Sequence, residues 1–146
     1  MKTLIESTEH AYERLLVVVE GIAEKELHWR PIPEMNSAYK IFRHSARISF
    51  ILLPQVVEGT KKGDWDDDYE QHEQSLQGML RDLETGRIRV LGGLRSLEAS
   101  DLDEMIPLWD KKHRRAEGVN MLVGELIYHA GQIALLRGAY RRTHQN

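Results

Sequence analysis

The chain has no cysteine among its 146 residues. That absence excludes disulfides, a cysteine nucleophile and thiolate ligation, so any metal must be held by imidazole and carboxylate groups. A strong charge of either sign is also missing. The net charge is -3 and the pI near 6.2, which gives no electrostatic case for nucleic acid as the main partner. The basic end "RGAYRRTHQN" reads as a solvated helix terminus, where the helix dipole favours Lys and Arg. No apolar run reaches the roughly 18 residues expected of a membrane span. The start, "MKTLIESTEHAYERLL", lacks the unbroken apolar centre of a signal peptide. These observations set the expectations of no nucleic-acid partner, no membrane partner and a cytoplasmic location. The length suits one domain, residues 1–146, built on one core.

What is present is helical periodicity. "TLIESTEHAYERLLVVVEGIAE" places Leu4, Ala11, Leu15, Val18, Val19 and Ile22 on one face, predicting a helix from Thr3 to Glu24. Pro31 and Pro33 forbid its continuation. Asn36 or Ser37 can cap a second helix, which ends near Gly59. A polar connection with an acidic cluster, "EGTKKGDWDDDYEQ", leads to a third helix from about Tyr69 to Leu97. Gly86, Gly92 and Gly93 predict a break or kink there. Extended pieces around Glu104 to Trp109 and Lys112 to Ala116 predict a small hairpin. A last helix covers about Val119 to Arg142. Four long amphipathic helices without βαβ alternation make an all-α, four-helix bundle. Trp29, Trp65 and Trp109, all in irregular segments, are expected as lids on the ends of that bundle.

The stretch "ELIYHAGQI" places Glu125 and His129 one turn apart on the last helix, on the flank of the apolar face formed by Leu122, Leu126, Ala130 and Ile133. They are either a hydrogen-bonded pair at a helix edge or ligands. His44, with Ile41, Ile48 and Ile51 at helical spacing, is expected on the core side of the second helix, as a satisfied core histidine or as a ligand. Two imidazoles and one carboxylate suit a divalent metal. The i, i+4 pair supplies two ligands from one helix, and one more from a facing helix leaves a fourth position open to water or substrate. His10, His28, His72, His113 and His144 have polar neighbours and are expected at the surface.

Two stretches carry a resemblance. "LHWRPIPEMNSAYKIFRHSARI" combines Trp29, Arg30 and Pro31 with Asn36, Ser37 and His44. "ELIYHAGQIALLRG" combines His129 with Gly131, Gln132, Ile133, Leu136 and Arg137. Together, and in helix order over nearly the whole chain, they resemble the DinB/YfiT-like family of metal-binding four-helix proteins. The resemblance implies an up-down-down-up bundle, a homodimer, and a divalent metal such as zinc or nickel. Many members carry histidine where this chain has Glu125. The related mycothiol-dependent maleylpyruvate isomerases resemble this chain in using His, Glu and His, which implies His44, Glu125 and His129 as the ligands.

The characterised branches are thiol-cofactor enzymes, namely bacillithiol S-transferases and mycothiol-dependent isomerases. The resemblance therefore implies a low-molecular-weight thiol acting on a small-molecule substrate, with the nucleophile supplied by the cofactor. A helical-bundle protein that turns nothing over and a metal-dependent hydrolase are the alternatives that these residues leave open.

Overall fold

The computed structural model describes residues 1–145, and it is an all-α bundle. Helix α1 (Lys2–Val19) is followed by a short α2 (Glu24–His28), so the first predicted helix stops earlier than its periodicity suggests. The second long helix consists of α3 (Ala38–Arg47), a π-helical turn (Ile48–Leu52) and α4 (Leu53–Glu58). Ser37 caps it by accepting from the Lys40 amide at 3.2 Å. Gly59 ends it in the left-handed conformation at φ 71°. The wide turn lies just before Pro54, which has no N–H to continue the ladder and whose ring would crowd the Phe50 carbonyl of a regular helix.

Helix α5 (Leu76–Ser96) begins at a Ser75 cap, later than the predicted Tyr69, and Tyr69–Gln71 form a separate 3₁₀ turn. The predicted break is absent, because two of the glycines serve close packing. A Cβ on Gly86 would meet the Ser49 carbonyl oxygen at 2.1 Å, and one on Gly93 would meet Val57 at 2.7 Å. Strands β1 (Met105–Leu108) and β2 (Lys111–Arg114) form the expected hairpin, with Ile106 opposite His113. Helix α6 (Arg115–His144) starts four residues before the predicted Val119.

Contacts between helices define their directions. Ser49 lies on Leu83 and Gly86, and Glu58 pairs with Arg89, so α5 runs parallel to the second helix. Parallel neighbours need a long return, which residues 60–75 provide. Glu9 near the start of α1 pairs with Arg95 near the end of α5, and Arg115 at the start of α6 reaches Val57 near the end of α4. The result is the up-down-down-up order.

One contiguous core runs through all four long helices, with Tyr12, Leu15, Phe42, Leu53, Leu83, Leu94, Leu122 and Leu126 fully buried. A buried polar chain crosses it. The Leu83 carbonyl can only accept, so Ser49 donates to it at 2.9 Å, and the Tyr12 hydroxyl donates to Ser49 at 2.9 Å. By length and composition α6 passes the test for a membrane span, with a window of mean hydropathy 1.2. Its Leu122, Leu126, Ala130, Ile133 and Leu136 are instead buried within the bundle core, which is how a core helix uses such a composition.

Trp29 packs edge-on against Tyr140 and His144 near the end of α6. Trp65 donates to Gln55 on α4 at 2.9 Å and carries the Lys61 ammonium over its ring at 4.2 Å. Trp109 does not act as a lid. It occupies the hairpin turn at φ 54° and is half exposed. His113, expected at the surface, has a side chain only 14% exposed, because its strand position opposite Ile106 faces inward.

The return segment is tied to the second helix by charge. Arg47 donates through Nε and Nη2 to Asp67 at 2.9–3.1 Å, and Asp67 also accepts from the Tyr69 amide at 3.2 Å. The Arg47 hydrogen bonds, more than any other influence, hold the Asp67 carboxyl below the usual carboxylate range.

Two outcomes are expected. Gly86→Ala gains about 1 kcal/mol of helix propensity but forces a methyl group onto a fixed backbone carbonyl, an overpacking cost at the upper end of about 1–3 kcal/mol. Its melting temperature should fall. Gly92→Ala, where a Cβ meets nothing within 4 Å, should raise it, and calorimetry on the two variants separates the effects. For Asp67, the folded carboxyl binds its proton more weakly than the unfolded one, whose pKa is about 3.9. Its stabilisation is therefore complete above that value and is lost as pH falls through the lower folded value. Denaturant unfolding should show Asp67→Asn less stable than wild type at pH 7, with the gap narrowing at pH 3.

Candidate metal centre

The middle of α6 faces the first half of the second helix. There the three candidate side chains meet: one ligand atom each from His44, Glu125 and His129 lies within 4.8 Å of the other two. All three residues are half-buried, at the edge of the core rather than inside it. His44, predicted on the core side, keeps a side chain 34% exposed, while Ile41 and Ile48 are buried. The predicted apolar face weakens at Ile51, which is only partly buried against the core, because the π turn inserts an extra residue per turn and shifts the phase. From its last residue, Leu52, onward the buried set is Leu52, Leu53, Pro54, Val56 and Val57.

An acceptor sits beside the Nδ1 atom of each imidazole. His44 Nδ1 lies 2.9 Å from Glu70 Oε2, and His129 Nδ1 lies 2.7 Å from Gln132 Oε1. Carboxylate and amide oxygens accept, so each Nδ1 carries a proton, and in the neutral ring Nε2 then holds the lone pair. The two rings are 5.1 Å apart and nearly perpendicular. Among the described residues the Glu125 carboxylate has no hydrogen-bond or ion-pair partner. A half-buried carboxylate in that condition calls for a cation. Two free imidazole nitrogens and one free carboxylate are a donor set that a divalent ion of the zinc or nickel type takes, so the residues fit the metal that the family resemblance implies.

The cluster opens to solvent through a cavity of about 310 Å³ bordered by Asn36, Lys40, Ile41 and Glu70. A more apolar groove of about 460 Å³ adjoins it, sharing Asn36, Ile41 and Gln132 and lined further on by Met35, Leu135, Leu136 and Ala139. A cavity of about 540 Å³ beside Phe50, Trp65 and Arg89 contains none of the three candidate ligands. Its acidic lining comes from the return segment.

The second motif also has a structural share. Arg137 donates to Glu26 at 2.7 Å and to the Val18 and Glu20 carbonyls at 2.8 and 2.9 Å, closing the carbonyl end of α1 with a part-buried cation. Glu70 had no signal in the sequence. It lies 26 residues from His44 in a segment without periodicity, and one acidic residue in that run looks like the next. Gln132 lies three residues from His129, a helical neighbour spacing, but its role depends on the ring orientation.

Comparisons with known proteins agree with this architecture. A search of curated proteins found no match. Among solved structures, the chain resembles a conserved protein from Enterococcus faecalis, with a TM-score of 0.72 and 16% identity over 93% of this chain and 94% of that one. It also resembles the DinB-like protein YjoA from Bacillus subtilis, with a TM-score of 0.70 and 15% identity over 99% of this chain and 94% of that one. Identities this low establish the fold alone. A family model described as the DinB superfamily matches residues 7–133, which covers most of the chain, the whole first motif stretch and the second as far as Ile133, and the chain belongs to the DinB superfamily.

Proposed function

We propose that the protein is a divalent-metal-dependent enzyme that transfers or isomerises a small electrophilic substrate with the help of a low-molecular-weight thiol. The observation that carries this reading is the convergence of His44, Glu125 and His129 within 4.8 Å, with both imidazoles held in the tautomer that frees Nε2. These three residues would hold the ion. When bound, it would supply a Lewis-acidic position that lowers the pKa of an incoming thiol, which free in solution is about 8.5.

The rest of the arrangement suits that chemistry. The chain offers no thiol of its own, so the nucleophile must come from outside. Glu125 gives the ligand set one negative charge, which favours cation binding and leaves the centre less positive than three neutral histidines would. Lys40 borders the cavity and places a cation where an acidic thiol would enter. The adjoining groove, with Met35, Leu135, Leu136 and Ala139, offers an apolar wall to the body of an electrophile while its reacting atom faces the cluster. Gln132 and Ile41 border both spaces and would orient one reactant against the other.

Metal binding has a thermodynamic signature. A ligand that binds only the folded chain stabilises it by about 2.7 kcal/mol at a hundredfold excess over Kd. Chelator should lower the melting temperature of metal-loaded wild type and leave His129→Ala unchanged, as followed by differential scanning calorimetry. An equal response in both proteins would place the chelator's action elsewhere. Turnover tests the enzyme reading. Conjugation of a panel of low-molecular-weight thiols to a chromogenic electrophile should depend on added zinc or nickel and be lost in His44→Ala. Fully loaded protein inert with every thiol, but cleaving an ester or amide, would point to hydrolysis. Inertness in both assays would leave a metal-binding bundle.

A further inference from the structure

We infer that Glu70, from the irregular return segment, is the positioning residue of this site: it holds the His44 ring in the tautomer and orientation that a divalent cation requires, and so sets the affinity for that cation. The inference rests on the metal-site reading above, but its first consequence is visible in the metal-free protein.

The geometry is specific. Glu70 Oε2 lies 2.9 Å from His44 Nδ1 and can only accept. It therefore fixes the proton on Nδ1 and leaves Nε2, on the far side of the ring, as the nitrogen free to ligate. A ring pointing into a cavity on a mid-helix position has two other options, rotation about χ2 or the opposite tautomer, and either removes the Nε2 lone pair from the site. Hydrogen-bonded partners of this kind tune metal-binding histidines, and their loss weakens binding by about 10- to 100-fold.

Glu70 is itself held from several sides. Arg47 Nη1 lies 3.5 Å from the same Oε2, while the other guanidinium nitrogens stay engaged with Asp67. On the preceding residue, the Tyr69 ring is buried and its hydroxyl donates to Asp82 on α5 at 2.6 Å. Further along, Arg43 donates to the His72 carbonyl at 3.1 Å and the Gln74 amide to the Tyr39 hydroxyl at 2.9 Å. The segment is thus anchored on both sides of Glu70, to the second helix and to α5. Nearby Asp68 differs. It is 70% exposed and, among the described residues, pairs only with His72, four residues on in the same segment.

The competing interpretation is that the Glu70 contacts merely staple the segment to the second helix. A staple would affect stability but neither the tautomer nor the cation affinity, so the test reads both. In ¹⁵N-labelled apo protein at pH 8, long-range ¹H–¹⁵N correlations should show His44 as the Nδ1–H tautomer in wild type. In Glu70→Ala they should show a shift toward Nε2–H. Zinc affinity, measured by competition with a chromogenic chelator, should fall 10- to 100-fold in Glu70→Ala. It should recover largely in Glu70→Gln, whose side-chain carbonyl still accepts from Nδ1, and stay within twofold of wild type in Asp68→Ala.

An unchanged His44 tautomer with unchanged affinity in Glu70→Ala overturns the inference, including the case in which only the melting temperature falls. Zinc that binds neither wild type nor any variant overturns the metal-site reading and the affinity part of the inference, while the apo tautomer still decides whether Glu70 positions the ring. Zinc binding that His44→Ala abolishes and Glu70→Ala leaves intact rejects Glu70 alone.

Discussion

Two arginines near opposite ends of α6 close the carbonyl ends of two other helices, and the bundle takes its register from them. Arg137 meets the last carbonyls of α1 and pairs with Glu26. Arg115 meets the Val57 carbonyl near the end of α4, pairs with Glu104 and lies over Gly59, where a Cβ would stand 2.6 Å from its guanidinium. Arg115 is buried and the Arg137 side chain is only 11% exposed, and a cation this far from water that loses its partners is costly. The two carbonyl ends lie at opposite ends of the bundle, so α6 cannot slide along either neighbour without breaking one set.

That constraint places the candidate site. From Arg115 to His129 is 14 residues along α6 (129 − 115), or about 21 Å at 1.5 Å per residue. From Val57 back to His44 is 13 residues (57 − 44), or about 20 Å. The two helices run antiparallel from a shared anchor, so the two histidines arrive at the same level. Glu125 follows one turn away on α6. The cluster is a consequence of helix arithmetic once the Arg115 anchor is set.

The second constraint is the parallel contact between the second helix and α5. Gly86 removes its side chain where the Ser49 carbonyl approaches, and the π turn before Pro54 rotates the helix between its two tasks. Before the turn, His44 and Ile41 address α6 and the cavity. In and after it, Ser49 and Val57 address α5. Because α5 is parallel to the second helix, the chain must cross the length of the bundle between them. That crossing carries Glu70 past His44, so the same topology that demands a long irregular segment also delivers a carboxylate to the ligand imidazole.

The sequence by itself determined the elements whose causes are local. The cap at Asn36 or Ser37, the end of the second helix at Gly59, the hairpin before α6 and the one-turn spacing of Glu125 and His129 all depend on nearest neighbours or on a 3.6-residue period, and composition alone excludes a cysteine ligand or nucleophile. Only the tertiary structure decided what depends on distant partners. Three glycines in one helix read as weakness until the neighbouring backbone that occupies the space beside two of them is present. The Ile41, His44, Ile48 and Ile51 face was extrapolated through a π turn that periodicity does not reveal. Glu70 was one carboxylate in an acidic run, and its meaning arises from a 2.9 Å contact closed across 26 residues by the fold. Periodicity records which side of an element is buried, whereas a hydrogen bond between elements requires both to be in place.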